Sequence, residues 1–306
     1  MKSKIRIAAS MLVWGSIGVF VRGIELPSIG IALLRAVSAS AFLGIVGIWL
    51  MGDESVHTIK KNIKLLIFSG IAMGFNWFFL FQAYKYTTIS NATLSYYFAP
   101  VFITLLSPIF LREKLTFSKL FYVLCAMAGL YMILSSQPSS LPNMNFNHPL
   151  GIGYGLSGAL MYAAIVLMNK NMKGSTGFET TLVQLSIASL VILPVALAST
   201  GITPFLSMSS KSWILMMTLG IVHTGIAYIN FFSSIRDIDG PSIAILSYID
   251  PISAVVIASL FLGESMSPLQ MIGGAFILAS TFFSQFDSIG SVISTVFKKK
   301  AVNQNP

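Results

Sequence analysis

Three long stretches of the chain contain no charged side chain, and this feature constrains the fold more than any other. They run from Tyr86 to Leu111, from Leu120 to Asn169 and from Thr180 to Ser210. Apolar runs of about 18 residues or more are typical of membrane-spanning helices. Charged residues make up 9% of the chain and hydrophobic residues 55%, which leaves too few charges to cover a soluble globule. The same figures exclude disorder and collagen, so we predict an integral membrane protein.

The apolar segments divide into ten predicted spans, each close to the ~20 residues needed to cross a bilayer. We therefore predict an all-α integral membrane fold with ten transmembrane helices in two halves, residues 1–136 and 150–286. An external linker, 137–149, joins the halves, and a cytoplasmic tail, 287–306, follows them. The predicted spans are Ile5–Val21, Ser28–Met51, Ile63–Ala83, Ile89–Leu111, Leu120–Ser135, Leu150–Met168, Phe178–Ser199, Trp213–Ile235, Pro241–Gly263 and Pro268–Phe286.

The distribution of lysine and arginine predicts the orientation of the spans. With a cytoplasmic N-terminus, 15 of the 19 basic residues fall on the inner side, and Arg22, Lys85 and Lys211 fall outside. The remaining one, Arg35, is within a span. This bias follows the positive-inside rule, so we predict a multi-pass protein of the cell (inner or plasma) membrane with both termini cytoplasmic. Topology accounts for the net charge of +9, and no nucleic acid partner is expected.

The two halves share residues at a constant separation of 151 positions. The matched pairs are Lys85 with Arg236, Tyr97 with Tyr248, Pro100 with Pro251 and Glu113 with Glu264. Each half therefore has a span with a proline near its middle and a glutamate just past its end. Because five spans is an odd number, the second half enters the membrane from the opposite side. This pattern predicts an inverted repeat, in which a central site faces each side in turn.

Together with Leu262-Gly263-Glu264, Gln270 and Gly273-Gly274 of the second half, this repeat pattern resembles EamA-type carriers of the drug/metabolite transporter superfamily. The resemblance covers about residues 5–286, and the first half departs from it at Leu111-Arg112-Glu113. It implies two EamA-like repeats and export of amino acids or other small metabolites, or movement of drugs, sugars or nucleotide-linked compounds. The direction of transport comes from the resemblance alone. The residues that carry it are Pro100 with Glu113, and Pro251 with Leu262-Gly263-Glu264, Gln270 and Gly273-Gly274.

Three ionisable side chains, Arg35, His223 and Asp250, lie deep in the predicted spans. A charge at the bilayer centre costs roughly 2.5–3.5 kcal/mol and suggests a functional site. The guanidinium of Arg35 suits a substrate carboxylate or phosphate, and Asp250 could receive a substrate ammonium or carry a proton. Arg35 and Asp250 could instead neutralise each other, and His223 could be a neutral histidine bonded to a carbonyl. The sequence leaves these alternatives open.

Polar and aromatic side chains within the spans complete the predicted substrate site. Pro100 and Pro251 each remove a backbone donor in mid-helix, and such breaks often flank the site of a carrier, so we assign them to helix breaking or gating. Aromatic faces with a few amides are typical of small-molecule cavities. The predicted substrate-binding residues are Arg35, Asn76, Trp77, Tyr97, His223, Tyr248 and Asp250.

The favoured function is a secondary transporter, an exporter of small metabolites such as amino acids, and not an enzyme. The alternatives are an efflux carrier for drug-like amphiphiles, an intramembrane serine hydrolase using Ser157 and His223, and a channel. The expected partners are a small-molecule substrate and the lipid bilayer, with protons as a candidate coupling ion. We expect no cofactor and no metal, and the single cysteine, Cys125, excludes an internal disulfide. The sequence does not predict the oligomeric state.

Overall fold

A computed structural model describes residues 2–111, 116–135, 146–174, 177–235, 246–280 and 282–283. Within these ranges every regular element is a helix and no strand occurs, which confirms the predicted all-α class. The ten-span inverted arrangement stays a prediction. Glu113, Arg236, most of the linker 137–149 and the tail 287–306 lie outside the described residues.

The helices overlap the predicted spans, although α4 begins ten residues before the predicted Ile63, and breaks occur inside several of them. A π-helical turn, Ile221–Ile226, joins α11 to α12. The helices are α1 (Lys2–Gly15), α2 (Ile17–Arg22), α3 (Ser28–Leu50), α4 (Asp53–Tyr86), α5 (Ile89–Tyr96), α6 (Ala99–Leu111), α7 (Phe117–Ser135), α8 (His148–Asn171), α9 (Gly177–Thr200), α10 (Thr203–Leu206), α11 (Ser210–Gly220), α12 (Ala227–Ile235), α13 (Ile249–Leu262) and α14 (Pro268–Ser280).

Seven helical stretches in the described part of the chain are long and apolar enough to cross a membrane, and three shorter apolar helices accompany them. Large apolar side chains such as Ile109, Phe117 and Leu260 are more than 70% exposed. An exposed apolar exterior of this kind suits a lipid environment. In lipid the backbone must satisfy its own polar groups, and a helix does so within one segment.

Local signals in the sequence explain where several helices begin and end. The side chains of Thr88, Asn147 and Ser209 accept hydrogen bonds from backbone N–H groups at the starts of α5, α8 and α11. These side chains satisfy donors that have no partner within the helix. Gly263 ends α13 with φ +66°, a left-handed conformation that glycine adopts without steric cost.

The core joins helices from both predicted halves. The long helix α4 packs against α8 and α9, and α1 packs against α12 and α13. Glycine permits the closest of these approaches. A Cβ atom on Gly129 of α7 would lie 2.5 Å from the carbonyl oxygen of Gly273 in α14, and a Cβ on Gly273 would lie 2.5 Å from the carbonyl of Gly129. The two backbones therefore touch where neither residue has a side chain.

Two helix breaks occur next to the prolines that the sequence singled out. Tyr97 and Phe98 separate α5 from α6, and Tyr248 precedes α13. Pro100 and Pro251 then lie in the first turn of α6 and α13, where the missing N–H is tolerated. The two breaks leave short non-helical segments in the interior of the protein, and these segments position the site described below.

Candidate functional site

The two helix breaks meet through a hydrogen bond between Tyr97 and Asp250. The Tyr97 hydroxyl donates to Asp250 Oδ2 at 2.7 Å. Tyr97 follows the last residue of α5, and Asp250 is the second residue of α13. Asp250 is enclosed deep within the protein, yet part of its surface remains accessible. The carboxyl group therefore lies between the two helix breaks.

Arg35, in the first half of α3, is held from two directions. Its Nε donates to Thr224 Oγ1 at 2.8 Å, and its Cζ lies 4.1 Å from the centroid of the Trp77 ring and 5.7 Å from that of Phe81. Stacking of this kind stabilises a guanidinium by cation–π attraction. The side chain is buried, with 3% exposed, although its two terminal nitrogens have no hydrogen-bond partner among the described residues.

Arg35 and Asp250 belong to the same interior cluster without touching. They interact electrostatically, but form no ion pair within the part of the chain described here. Several phenol groups share this interior and interact electrostatically with one or both charges. They are Tyr84, Tyr96, Tyr97, Tyr162 and Tyr228. The cluster thus draws on six helices and offers a cation and an anion among aromatic rings.

Of the two predicted site residues in α4, Trp77 belongs to the cluster through its ring, whereas Asn76 holds neighbouring helices together. The Asn76 amide donates to the Gly158 carbonyl at 2.8 Å and to the Tyr96 hydroxyl at 3.2 Å. Both of these bonds are internal to the protein, so Asn76 ties α4 to α8 and to the end of α5.

His223 lies in the π-helical turn with both ring nitrogens occupied. Its Nε2 is 2.8 Å from Ser16 Oγ, and its Nδ1 is 3.2 Å from the Thr218 carbonyl. Trp14 also donates to the His223 backbone carbonyl at 2.8 Å. These bonds match the alternative of a histidine bonded to a carbonyl. Ser157 instead donates to Gly153 in its own helix at 2.9 Å, so the structure does not bring Ser157 and His223 together.

Tyr248 lies at the second helix break, but away from the contacts described so far. Its ring packs against Phe282 with a centroid separation of 5.5 Å. Its hydroxyl is buried without a hydrogen-bond partner among the described residues. Thr224 and Tyr84, by contrast, are cluster residues that the sequence did not single out. A threonine or tyrosine in a span carries no charge that marks it, so no sequence signal identified them.

A second polar cluster lies where α13 ends. Arg22 and Glu264 form a buried ion pair at 2.6 Å. The Glu264 carboxylate also accepts from the backbone N–H groups of Ile89 and Ser90, at 2.8 and 3.2 Å, where α5 begins. A carboxylate at a helix N-terminus is stabilised by the helix dipole. Arg22 in turn donates to the Thr87 carbonyl at 2.6 Å, so four segments meet at this pair.

Comparison with known proteins identifies the class to which this fold and its interior cluster belong. The sequence profile of the EamA-like transporter family matches residues 2–135 and 149–286. The chain belongs to this family, and it is a multi-pass membrane protein of the transporter type. The family resemblance inferred from the sequence is thereby confirmed.

Individual relatives agree with the family assignment. The chain is 29% identical over 277 residues to the uncharacterized transporter YxxF of Bacillus subtilis, covering 90% of this chain and 86% of the relative. It is 24% identical over 245 residues to the riboflavin transporter ImpX of Fusobacterium nucleatum, covering 76% and 80%. A solved crystal structure shares the fold, with a TM-score of 0.59 and 16% identity over 91% of this chain and 95% of the other.

Proposed function

We propose that this protein is a secondary transporter that exports small metabolites such as amino acids across the cell membrane by alternating access. In this proposal ten helices form two inverted five-helix repeats, and both termini are cytoplasmic. The two stretches matched by the family profile, 2–135 and 149–286, support the division into halves. The two proline-associated breaks, joined by Tyr97 and Asp250, support a site between them, because carriers bind substrates at such discontinuities.

One observation carries the choice of substrate: among the described residues, the terminal nitrogens of Arg35 have no hydrogen-bond partner in the interior that Arg35 shares with Asp250. A guanidinium fork can bind a carboxylate through two parallel hydrogen bonds. The second oxygen of Asp250, Oδ1, has no hydrogen-bond partner among the described residues and can accept from an ammonium group. An amino acid carries both groups, so its two charges would be compensated at once.

A planar aromatic metabolite or drug-like amphiphile is the second candidate substrate. The ring of Trp14 packs against Tyr228 and Phe231, with centroid separations of 5.1 and 5.3 Å. Aromatic walls of this kind can stack on a flat ligand. One relative is named a riboflavin transporter, which makes a ligand of this shape worth testing beside the amino acids.

The Arg22–Glu264 pair supplies the closed outer end that alternating access requires. Asp250 and Leu262 are 12 residues apart in α13, so the pair lies ~18 Å along the helix from the central carboxyl. In the predicted topology this end faces outward. The described conformation is then closed to the outside, and the ion pair has to open for release of the substrate on that side.

Proton coupling through Asp250 is part of the proposal. In a carrier interior an aspartate can move a proton between the two sides if it is charged in one state and neutral in the other. The Tyr97 hydroxyl donates to Asp250 Oδ2 at 2.7 Å and fixes the position of the carboxyl group. Uncoupled transport down a gradient is the alternative, and the effect of Asp250→Asn on pH-gradient dependence separates the two.

Counterflow in proteoliposomes tests the proposed function. Vesicles loaded with one unlabelled amino acid per batch are assayed for uptake of the labelled form, with riboflavin as a parallel probe. We expect saturable counterflow for at least one amino acid. Counterflow for riboflavin alone would move the assignment to the second candidate. Flux that does not saturate, with no counterflow for any probe, would contradict the carrier and favour a channel.

A further inference from the structure

Thr224 combines a specialised backbone with direct contact to Arg35. It lies in the π-helical turn Ile221–Ile226, and π-turns of this length inside helices occur frequently at functional sites. Gly220 lies four residues before Thr224, and Gly225 follows it directly. A Cβ on Gly220 would lie 1.8 Å from Ser38 Oγ, and one on Gly225 would lie 2.3 Å from the Phe42 ring. The absent side chains therefore let this turn approach α3, which carries Arg35.

The hydrogen bonds of the Thr224 hydroxyl have a fixed direction. The hydroxyl donates its one proton to the Leu219 carbonyl at 3.1 Å, five residues back in the chain. Its oxygen is then left to accept, and Arg35 Nε donates to it at 2.8 Å. A hydroxyl has one donor and two acceptor positions. Because its single proton is already donated to Leu219, the Thr224 hydroxyl can bind a donor such as a guanidinium, but not a second acceptor.

The hydroxyl and the aromatic rings together restrict Arg35 in two independent ways. Thr224 fixes the Nε edge of the guanidinium, and the Trp77 ring, with its centroid 4.1 Å from Arg35 Cζ, supports the group from another side. The edge opposite to Nε carries the terminal nitrogens, which have no partner in the described residues. A planar fork that is already oriented loses little freedom when it binds a carboxylate.

We propose that Thr224 is a positioning residue that gives the carrier its selectivity for a substrate carboxylate, by holding the Arg35 fork in the orientation for two parallel hydrogen bonds. This inference rests on the proposed function. It adds that the π-helical turn, and not Arg35 alone, determines which anionic group is accepted. A rotated guanidinium would still attract an anion but would lose the paired geometry.

The test compares an amino acid with its own carboxamide, which lacks the negative charge. The probes are the amino acid that gives the greatest counterflow in the wild type and the corresponding amide, with KM measured for each. Thr224→Val keeps the shape of the side chain and removes the acceptor, whereas Thr224→Ser keeps the hydroxyl. Thr218→Val is the matched control, because the Thr218 hydroxyl donates only to Ile214 in its own helix.

In Thr224→Val we expect the preference for the acid over the amide, measured as the ratio of KM values, to fall on the order of tenfold. Thr224→Ser and Thr218→Val should keep the wild-type ratio. An equal rise in both KM values, with the ratio unchanged, would show a merely structural role and overturn the inference. An unchanged ratio in Arg35→Ala, or no amino acid counterflow in the wild type, would instead overturn the proposed function on which the inference rests.

Discussion

At the scale of single residues, the interior holds a cation and an anion that do not neutralise each other directly. Arg35 bonds Thr224 and stacks on Trp77, whereas Asp250 accepts from Tyr97. Each charge therefore has a neutral partner, and each keeps hydrogen-bonding capacity that no described residue uses. Charges inside a membrane protein are costly, and the proposed function assigns this unused capacity to a ligand or a proton.

Replacing Asp250 by asparagine should remove any dependence of transport on a pH gradient. Asparagine has the same shape and still accepts from Tyr97, but it cannot bind or release a proton. We expect uptake to lose its stimulation by an imposed gradient, while counterflow continues with a raised KM because asparagine keeps an acceptor for the substrate ammonium but not the negative charge, both measured in proteoliposomes. Ser253→Ala, which changes a hydroxyl bonded to the Asp250 carbonyl, is the control. Equal stimulation in wild type and Asp250→Asn would show that Asp250 is not the coupling group.

The sequence could identify the charged centre of the site, but not the residues that orient it. Arg35 and Asp250 were predictable because a charge in an apolar span is costly and therefore suggests a functional site. His223 was equally visible, and the structure gives both of its ring nitrogens partners within the protein. Thr224 was not predictable, since its importance arises from contact with Arg35, a residue 189 positions away.

At the scale of the elements, departures from regular α-helix position the interior cluster. The predicted span Ile89–Leu111 is divided after Tyr96, and the span that ends with Ile235 contains the π-helical turn. Proline marks the first kind of departure in the sequence, because it lacks an N–H. The π-turn has no such mark. It depends on packing against α3, which a single sequence does not reveal.

Close contact between α7 and α14 should be sensitive to a single methyl group. In Gly129→Ala the new Cβ would lie 2.5 Å from the Gly273 carbonyl, so the two backbones have to separate. We expect a loss of about 1–3 kcal/mol in stability, seen as a lower Tm in detergent. Gly153→Ala, where a Cβ meets nothing within 4 Å, is the control and should be neutral or slightly stabilising. Equal Tm values for the two variants would contradict the close contact.

At the scale of the whole molecule, alternating access requires one end to be closed while the other is open. The Arg22–Glu264 pair holds together α2, the loop after α4, the start of α5 and the end of α13. A buried pair of this kind is strongly destabilised when one partner is removed. In the proposed topology, the pair is therefore the element whose loss should shift the molecule toward the outward-open state.

Glu264→Gln should make the central site more accessible from the outside. In a Cys125→Ser background, a reporter is introduced by Tyr97→Cys and labelled with a membrane-impermeant thiol reagent added outside oriented vesicles. We expect the labelling rate to rise about tenfold or more, as the closed state loses ~1.4 kcal/mol or more. Glu25→Gln is the matched control, because Glu25 is an exposed glutamate in the loop after Arg22, near the same end. A rise only for reagent added inside would contradict the assigned orientation.

The central claim is that Arg35 binds the substrate of a carrier, and counterflow of wild type against Arg35→Ala tests it most directly. Lys211→Ala, which removes an exposed basic residue, serves as the control, and the Tm of each purified protein shows that it is folded. We predict saturable amino acid counterflow in the wild type and in Lys211→Ala, and its loss in Arg35→Ala. Counterflow with an unchanged KM in a folded Arg35→Ala protein would contradict the account.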